Sequence, residues 1–439
     1  MLSRRLFTRT ALGVAAVAVT DALLPRTAAA HAGGPPDAAG VTRWARHQAV
    51  PISAGSGRWA PDLAAIGRAA RGTWIVGLGE TSHRLREVTS LKSRYLKHLV
   101  EHEGFRAIAW EEDWTLCTRI NDYLLGRRDD LDTILRTLDP TWRTREVRDT
   151  LTWLRRFNDT HADRVRLAGA EYFATGPLAY EAVKAYVTEH RPERLAELAA
   201  YYELLQPESE NMQAHLMAYM AIPDKTPHLT AAAGQRDLVD AIAPRRHDSD
   251  YELVAHHARQ IFSFYEGFSR PWEQIPAYRD ARAAENIRWW QRFTGERVVY
   301  WAAGAHVADA PGLTVTQPGQ PDTVFASAGS YLADWYGRAY VRVGFTYDRG
   351  TYLTEGQTVS LPAAAPGWFE EPLGDVPYPQ FLLSLGGPAP NAVREWLDRP
   401  FQTRGLPEFG YESTMRGGTL REWYDIVVHR QEVTPAQPL

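Results

Sequence analysis

One cysteine in 439 residues is the first scarcity. Cys117 alone makes no internal disulfide, and it excludes CxxC redox pairs and cysteine-built zinc sites. A basic surplus is missing as well. Lys and Arg number 49 against 53 Asp and Glu, a formal net charge of -4, so the positive stripe that nucleic acid or an anionic membrane surface requires is not there. Nor is there an internal repeat, a low-complexity tract or a G-x-S-x-G nucleophile elbow. What is present is core material. Hydrophobic residues make up 44% of the chain, with 15 Trp, 20 Tyr and 14 Phe, which excludes disorder, collagen and a small disulfide scaffold and fits one large domain or two smaller ones.

The N-terminus reads as an export leader. Arg4-Arg5 with Leu6-Phe7 forms a twin-arginine signal, a modest apolar stretch runs from Ala11 to Leu24, and small residues at Ala28 to Ala32 offer a cleavage site. Asp21 interrupts the stretch, which falls short of the roughly 20 apolar residues needed to span a bilayer. Residues 1–32 are therefore expected to be a signal peptide, and residues 33–439 a soluble, extracytoplasmic protein without stable membrane insertion.

After the linker Gly33 to Pro36, short apolar runs alternate with amphipathic stretches, the pattern of an α/β fold with a mostly parallel sheet flanked by helices. Asp62 is expected to cap a short helix carrying Leu63, Ile66 and Ala69. Strands are expected at Trp74–Leu78, Phe105–Trp110, Val165–Ala170, Arg297–Ala302 and Tyr340–Phe345. From about 177 to 294 the apolar period is 3.6, which predicts a large helical insertion or cap. The tail beyond Gly350 is rich in Pro and Gly, has one short helix near Ala392–Leu397, and is expected to wrap the domain over about 356–439.

The strand ends carry the chemistry. Glu80 and His83 follow the first strand, Glu111 the second, Glu171 the third, and Gly304-Ala305-His306 the fourth. Ligands of an open parallel sheet bind beyond the carboxyl ends of its strands, so these residues are expected to share a crevice. A neutral His accepts a proton from water near neutral pH and a carboxylate orients the ring, which describes water activation. Lys92, nine residues beyond His83, is either an oxyanion partner or part of a solvated helix face. Glu80, His83, Glu111 and His306 also suit a divalent metal. Gly77-Leu78-Gly79 opens an incomplete G-x-G-x-x-G with Ser82 at the third position and Glu80 where a pyrophosphate would lie, which disfavours a nucleotide. His98 and His102 fit a solvated face, and His256 and His257 point apart from one helix. Arg279 and Glu285 either reach the crevice or form an ordinary ion pair.

Gly79-Glu80-Thr81-Ser82-His83 with Arg86-Glu87 and then Gly104 to Glu111 resembles the first signature of the erythromycin esterase family. Trp142 to Val147 with Trp153-Leu154-Arg155, Arg279-Asp280 with Ala284 to Trp289, and Trp301 to His306 are similar to later blocks, in the family's order. The resemblance implies hydrolysis of a macrolide lactone by histidine-activated water with no cofactor. Carried over by position, His83 is the general base, Glu80 and Glu111 its acidic partners, His306 a second active-site histidine, and Lys92 the basic residue. Two departures stand out: the family's His-Asn-x-His turn is here Ala303-Gly304-Ala305-His306, and its aspartate at the third strand end is here Glu171.

Three functions are thus open. The first is a secreted, metal-independent esterase acting on a small-molecule ester or lactone. The second is a metal-dependent hydrolase with the same four residues as ligands. The third is a catalytically impaired binding protein with residues 177–294 as its ligand cap, where Tyr201, Tyr202, Tyr219, Phe262, Phe264 and Tyr265 either line a ligand site or form core.

Overall fold

The computed structural model describes residues 38–53, 60–173, 176–207, 211–354 and 356–439. The leader and the linker at Gly33 to Pro36 lie outside the described residues.

Thirteen strands form two sheets among these residues. They are β1 (Val50–Pro51), β2 (Ile75–Glu80), β3 (Ala107–Asp113), β4 (Arg166–Glu171), β5 (Val298–Ala303), β6 (Leu313–Thr316), β7 (Thr323–Phe325), β8 (Tyr340–Thr354), β9 (Gln357–Leu361), β10 (Gln380–Ser384), β11 (Pro400–Arg404), β12 (Thr414–Thr419) and β13 (Ile426–Val433). The main sheet runs β1-β10-β13-β8-β2-β5-β3-β4, with β9 added antiparallel to β8. From β13 to β4 every pairing is parallel. A parallel sheet must be covered on both faces, and β2, β3 and β5 are buried at every position. The helices Arg86–Glu103 and Arg145–Thr160 cover one face and Ile275–Thr294 the other. The expected α/β class with a mostly parallel, helix-flanked sheet is the observed one.

Local signals set the element ends. Gly104 takes φ 74° and stops Arg86–Glu103 in the left-handed conformation that glycine adopts without steric cost. Asp113 caps Trp114–Leu124 by accepting from the Thr115 and Leu116 amides, and Thr144 caps Arg145–Thr160 through the Val147 amide. Asp62, expected as a cap, is instead inside the first turn of Pro61–Ala70. Its carboxylate is taken by Arg94 at 2.9 Å, because Ala60 holds the cap position and Pro61 starts the helix.

Elements between Pro177 and Thr294 are helical. Tyr202, Tyr219, Phe264 and Tyr265 are buried in a core of their own, with Phe262 and Tyr201 packed against it. The tail differs from the expected wrap. It supplies β13, which lies parallel to β8 inside the main sheet, and β11 and β12, which complete a four-stranded antiparallel sheet with β6 and β7. The run Ile426-Val427-Val428 is buried and apolar, a strand signal overshadowed by the Pro and Gly around it. Among the described residues no helix is long and apolar enough to cross a membrane.

Candidate active site

Chain order reverses at β5, which inserts between β2 and β3. The carboxyl ends of β2, β5, β3 and β4 therefore stand side by side, and such a reversal is where open sheets bind ligands. Glu80, Glu111 and Glu171 are strand residues, not loop residues: each read strand runs one to three residues further than its apolar pattern, because the carboxylates at its end are buried too.

Glu80 closes β2, and His83 lies in the turn before the helix Arg86–Glu103. The short reach brings Glu80 Oε1 to 2.8 Å from His83 Nδ1. With Nδ1 engaged, Nε2 turns toward Glu111 Oε2, 3.9 Å away. The Trp142 ring stands edge-on to the imidazole at 5.0 Å, and its indole donates to the Glu111 carbonyl at 3.0 Å. Lys92 sits fully buried beneath them. Its ammonium donates to the Ala302 carbonyl at 3.0 Å, touches Glu80 Oε2, and lies 4.5 Å from the centre of the Trp301 ring.

Glu111 is the hub. A register shift in β3 between Trp110 and Asp113 turns it into the site. The bulge fits because Gly169 on β4 has no side chain to strike the Glu112 and Asp113 carbonyls, which lie 2.4 Å from where a Cβ would stand. Glu111 Oε1 meets Arg279 at 2.8 Å and His306 Nε2 at 3.3 Å, and Oε2 accepts from the Ala303 amide at 2.6 Å. Arg279 also holds Glu171, at 3.0 and 3.1 Å. Beside it Asp280 grips His306 Nδ1 at 2.8 Å while accepting from the Ala328 amide at the same distance.

The electrostatics follow from these contacts. Burial raises the Glu111 carboxyl, but His306, His83 and Arg279 outweigh it and hold it well below the usual range. Burial lowers the His306 ring, yet Asp280 and then Glu111 prevail over Arg279 and push it up to about 10. His306 is therefore an imidazolium at neutral pH. Burial pulls the Lys92 ammonium well down against the attraction of Glu111, and it raises the Glu171 carboxyl against Arg279. The site thus offers one charged and one orientable imidazole within a cage of compensating charges.

All seven residues singled out in the sequence meet here: Glu80, His83, Lys92, Glu111, Glu171, Arg279 and His306. Lys92 is no solvated face. Asp280 and Trp142 escaped the site reading, although both stand in the motif blocks; only tertiary packing shows that they touch the two histidines. Glu285 stays outside, paired with Arg282 at 2.6 Å. Glu112 turns away and accepts from the Asp113 and Asp139 amides, with burial and the nearby Asp139 raising its carboxyl to about 8. His98 is buried, not solvated, and lies edge-on to His102 at 5.1 Å. His256 and His257, expected to point apart, both pack on Trp114 in the interior. Gly79 serves packing: its missing Cβ leaves room for Gly304 and Val307 of the following turn.

The donor set does not suit a metal. Among the described residues no three His, Cys, Asp or Glu side chains converge on one point, and Arg279 and Lys92 occupy the positions beside Glu111 and Glu80 where a cation would have to go.

The family model described as Erythromycin esterase matches residues 100–433. A segment of 97 residues is 30% identical to erythromycin esterase type II of Escherichia coli, covering 22% of this chain and 23% of that protein, so the chain spans about a quarter of that relative's length. Solved structures share the fold. A Bacillus cereus protein superposes with TM-score 0.79 at 21% identity over 92% of this chain and 100% of its own. A succinoglycan biosynthesis protein gives 0.76 at 22% identity over 91% and 98%. The erythromycin esterase EreC, a mutant in its open conformation, gives 0.66 at 15% identity over 86% and 95%. With most of its length under the family model, and the motif blocks folded into one charged cluster at the sheet edge, this chain belongs to the erythromycin esterase family.

Proposed function

We propose that the protein hydrolyses an ester or lactone, with a macrolide lactone as the leading substrate, by histidine-activated water. The observation that carries the reading is the Glu80–His83 pair: Nδ1 is held at 2.8 Å, which leaves Nε2, 3.9 Å from Glu111, as the nitrogen to take a proton from water. A general base placed in this way contributes about 10²- to 10⁴-fold. Water gives its proton to His83 Nε2 and its oxygen bonds to the ester carbonyl carbon. The oxyanion that forms is met by positive charge from His306. Collapse breaks the bond to the leaving alcohol, which takes the proton back from His83 and leaves a carboxylic acid, an alcohol and the neutral base.

Arg279, itself held by Glu171, keeps Glu111 anchored, and Lys92 keeps Glu80 in place. Among the family's relatives, the name of the Escherichia coli protein supports a macrolide substrate. The twin-arginine pattern at Arg4-Arg5 supports export, so drug hydrolysis outside the cytoplasm, with resistance as its consequence, belongs to the same proposal.

Mass spectrometry of a macrolide panel incubated with the mature protein tests the reading. Gain of one water by a macrolide, lost in His83→Ala, is the expected result. A His83→Ala protein that hydrolyses at the wild-type rate would overturn it.

A further inference from the structure

We infer that residues 434–439 and Arg84 form a positioning device for His83, an inference that rests on the ester-hydrolase reading. The starting observation is backbone strain. Arg84, directly after His83, is the one non-glycine among the described residues with φ in the left-handed region, at 55°. An ordinary side chain there is strained and persists only where the surroundings over-determine it.

The surroundings do so from two sides. The Arg84 guanidinium donates to the Tyr352 hydroxyl at 2.7 and 3.2 Å and lies 5.2 Å from that ring's centre, and Tyr352 is itself fully buried on β8. The Arg84 carbonyl accepts from the Ala436 amide at 2.7 Å, and the Arg86 amide donates to the Thr434 carbonyl at 2.9 Å. Leu85 and Pro435 form an isolated antiparallel bridge between these bonds. Glu87 adds two more contacts, accepting from the Thr434 amide at 2.7 Å and its hydroxyl at 2.8 Å.

The same strap then crosses to the other wall of the site. The Arg145 amide donates to Gln437 at 2.8 Å and the Leu439 amide to Arg143 at 3.1 Å, with Thr144 bridging to Pro438. Those residues follow Trp142, whose ring braces His83 and whose indole holds the Glu111 backbone. One hexapeptide thus ties the turn that carries the base to the loop that braces it. The left-handed φ at Arg84 turns the chain away immediately after His83, so the imidazole stays over Glu80 while the backbone enters the helix Arg86–Glu103.

The test removes one tie in the full-length chain. Ala436→Pro deletes the amide that holds the Arg84 carbonyl, and Ala436→Gly keeps it. Arg84→Val forces a β-branched side chain into the left-handed region while Arg84→Gly accepts it, and since both lose the guanidinium tie to Tyr352 their difference isolates the backbone. With 4-nitrophenyl acetate as probe ester, the Pro and Val variants should lose at least about 10-fold in kcat with KM little changed, the scale on which small misplacements act, while Ala436→Gly stays near wild type and Arg84→Gly loses less than Arg84→Val. A readout independent of turnover is carbethoxylation of His83 by diethyl pyrocarbonate, followed by peptide mass spectrometry: the rate at His83 should rise severalfold in Pro and Val, by less in Arg84→Gly and not in Ala436→Gly, with His306 unchanged. Wild-type kcat and wild-type His83 modification in both Pro and Val would overturn the inference. Should His83→Ala hydrolyse the probe like wild type, the esterase reading falls, and the modification rates alone still decide whether the strap places His83.

Discussion

Replacing Asp280 by Asn isolates the charge that keeps His306 protonated. Asn retains an oxygen to accept from His306 Nδ1 and from the Ala328 amide but removes the negative charge 2.8 Å from the ring. A unit charge about 4 Å away at an effective dielectric near 20 is worth about 4 kcal/mol, and one pKa unit is about 1.4 kcal/mol. The loss is thus about three units, which takes His306 from about 10 back to roughly its ordinary value or lower, since burial and Arg279 then act with only Glu111 opposing. In the wild type no deprotonation of His306 should disturb catalysis between pH 6 and 9. In Asp280→Asn a basic limb should appear, with kcat falling as pH rises through about 7. The assay is the pH dependence of kcat on an ester that wild type turns over. A profile of the same shape for both proteins would refute the reasoning. Linkage gives the matching stability effect: a cation whose folded pKa is raised contributes stability fully present below its unfolded value and lost as pH rises through the folded one. The pair should therefore stabilise wild type over Asp280→Asn at pH 6 and lose that advantage progressively toward pH 10.

Lys92→Met removes the amine that touches Glu80 Oε2 and donates to the Ala302 carbonyl, and leaving a buried acceptor unpaired costs about 1–3 kcal/mol; urea unfolding should show that loss, and adding Glu80→Gln should restore part of the stability but not the activity. Arg279→Ala uncouples Glu111 and Glu171 together and should lower both Tm and kcat, with Glu171→Gln on top recovering part of the Tm; a single Arg279→Ala protein as stable as wild type would contradict the pairing. Glu112→Gln probes a carboxyl raised to about 8. An acid raised on folding loses stability as pH climbs from its unfolded value to its folded one, so the Gln variant should gain on wild type in Tm between pH 5 and 8, with activity nearly unchanged.

The residues that carry charge chemistry were legible because each stands at the end of an apolar run, and a parallel sheet brings such ends together. Reading the runs alone placed Glu80, Glu111 and Glu171 just beyond the strands, since a hydrophobic pattern stops where the first carboxylate begins, even when that carboxylate is buried. The nature of Lys92 was not legible: helical spacing says which residues share a face, not whether an acid waits opposite. His98 shows the same limit, charged neighbours in sequence having hidden a buried ring. Asp280 lay inside a recognised motif, yet its role depends on His306, 26 residues away on another element. The tail misled for a compositional reason. Pro and Gly at its turns outweighed the short run Ile426-Val427-Val428, which belongs in the middle of the sheet.

By itself the sequence determined the fold class, the family blocks, the crossing helices and the chemical types at each strand end, because hydrophobic period and turn residues are local properties of the chain. Tertiary structure decided which of those side chains are charged and which atoms face the crevice. Long-range packing sets both: Arg279 neutralises Glu111 from a helix on the far face of the sheet, Asp280 makes a buried histidine a cation, and a C-terminal strap reaches back to the turn behind His83. Burial raises or lowers each ionisable group, and nearby charges decide which way it goes, so the site's electrostatics exist only once the chain has closed on itself.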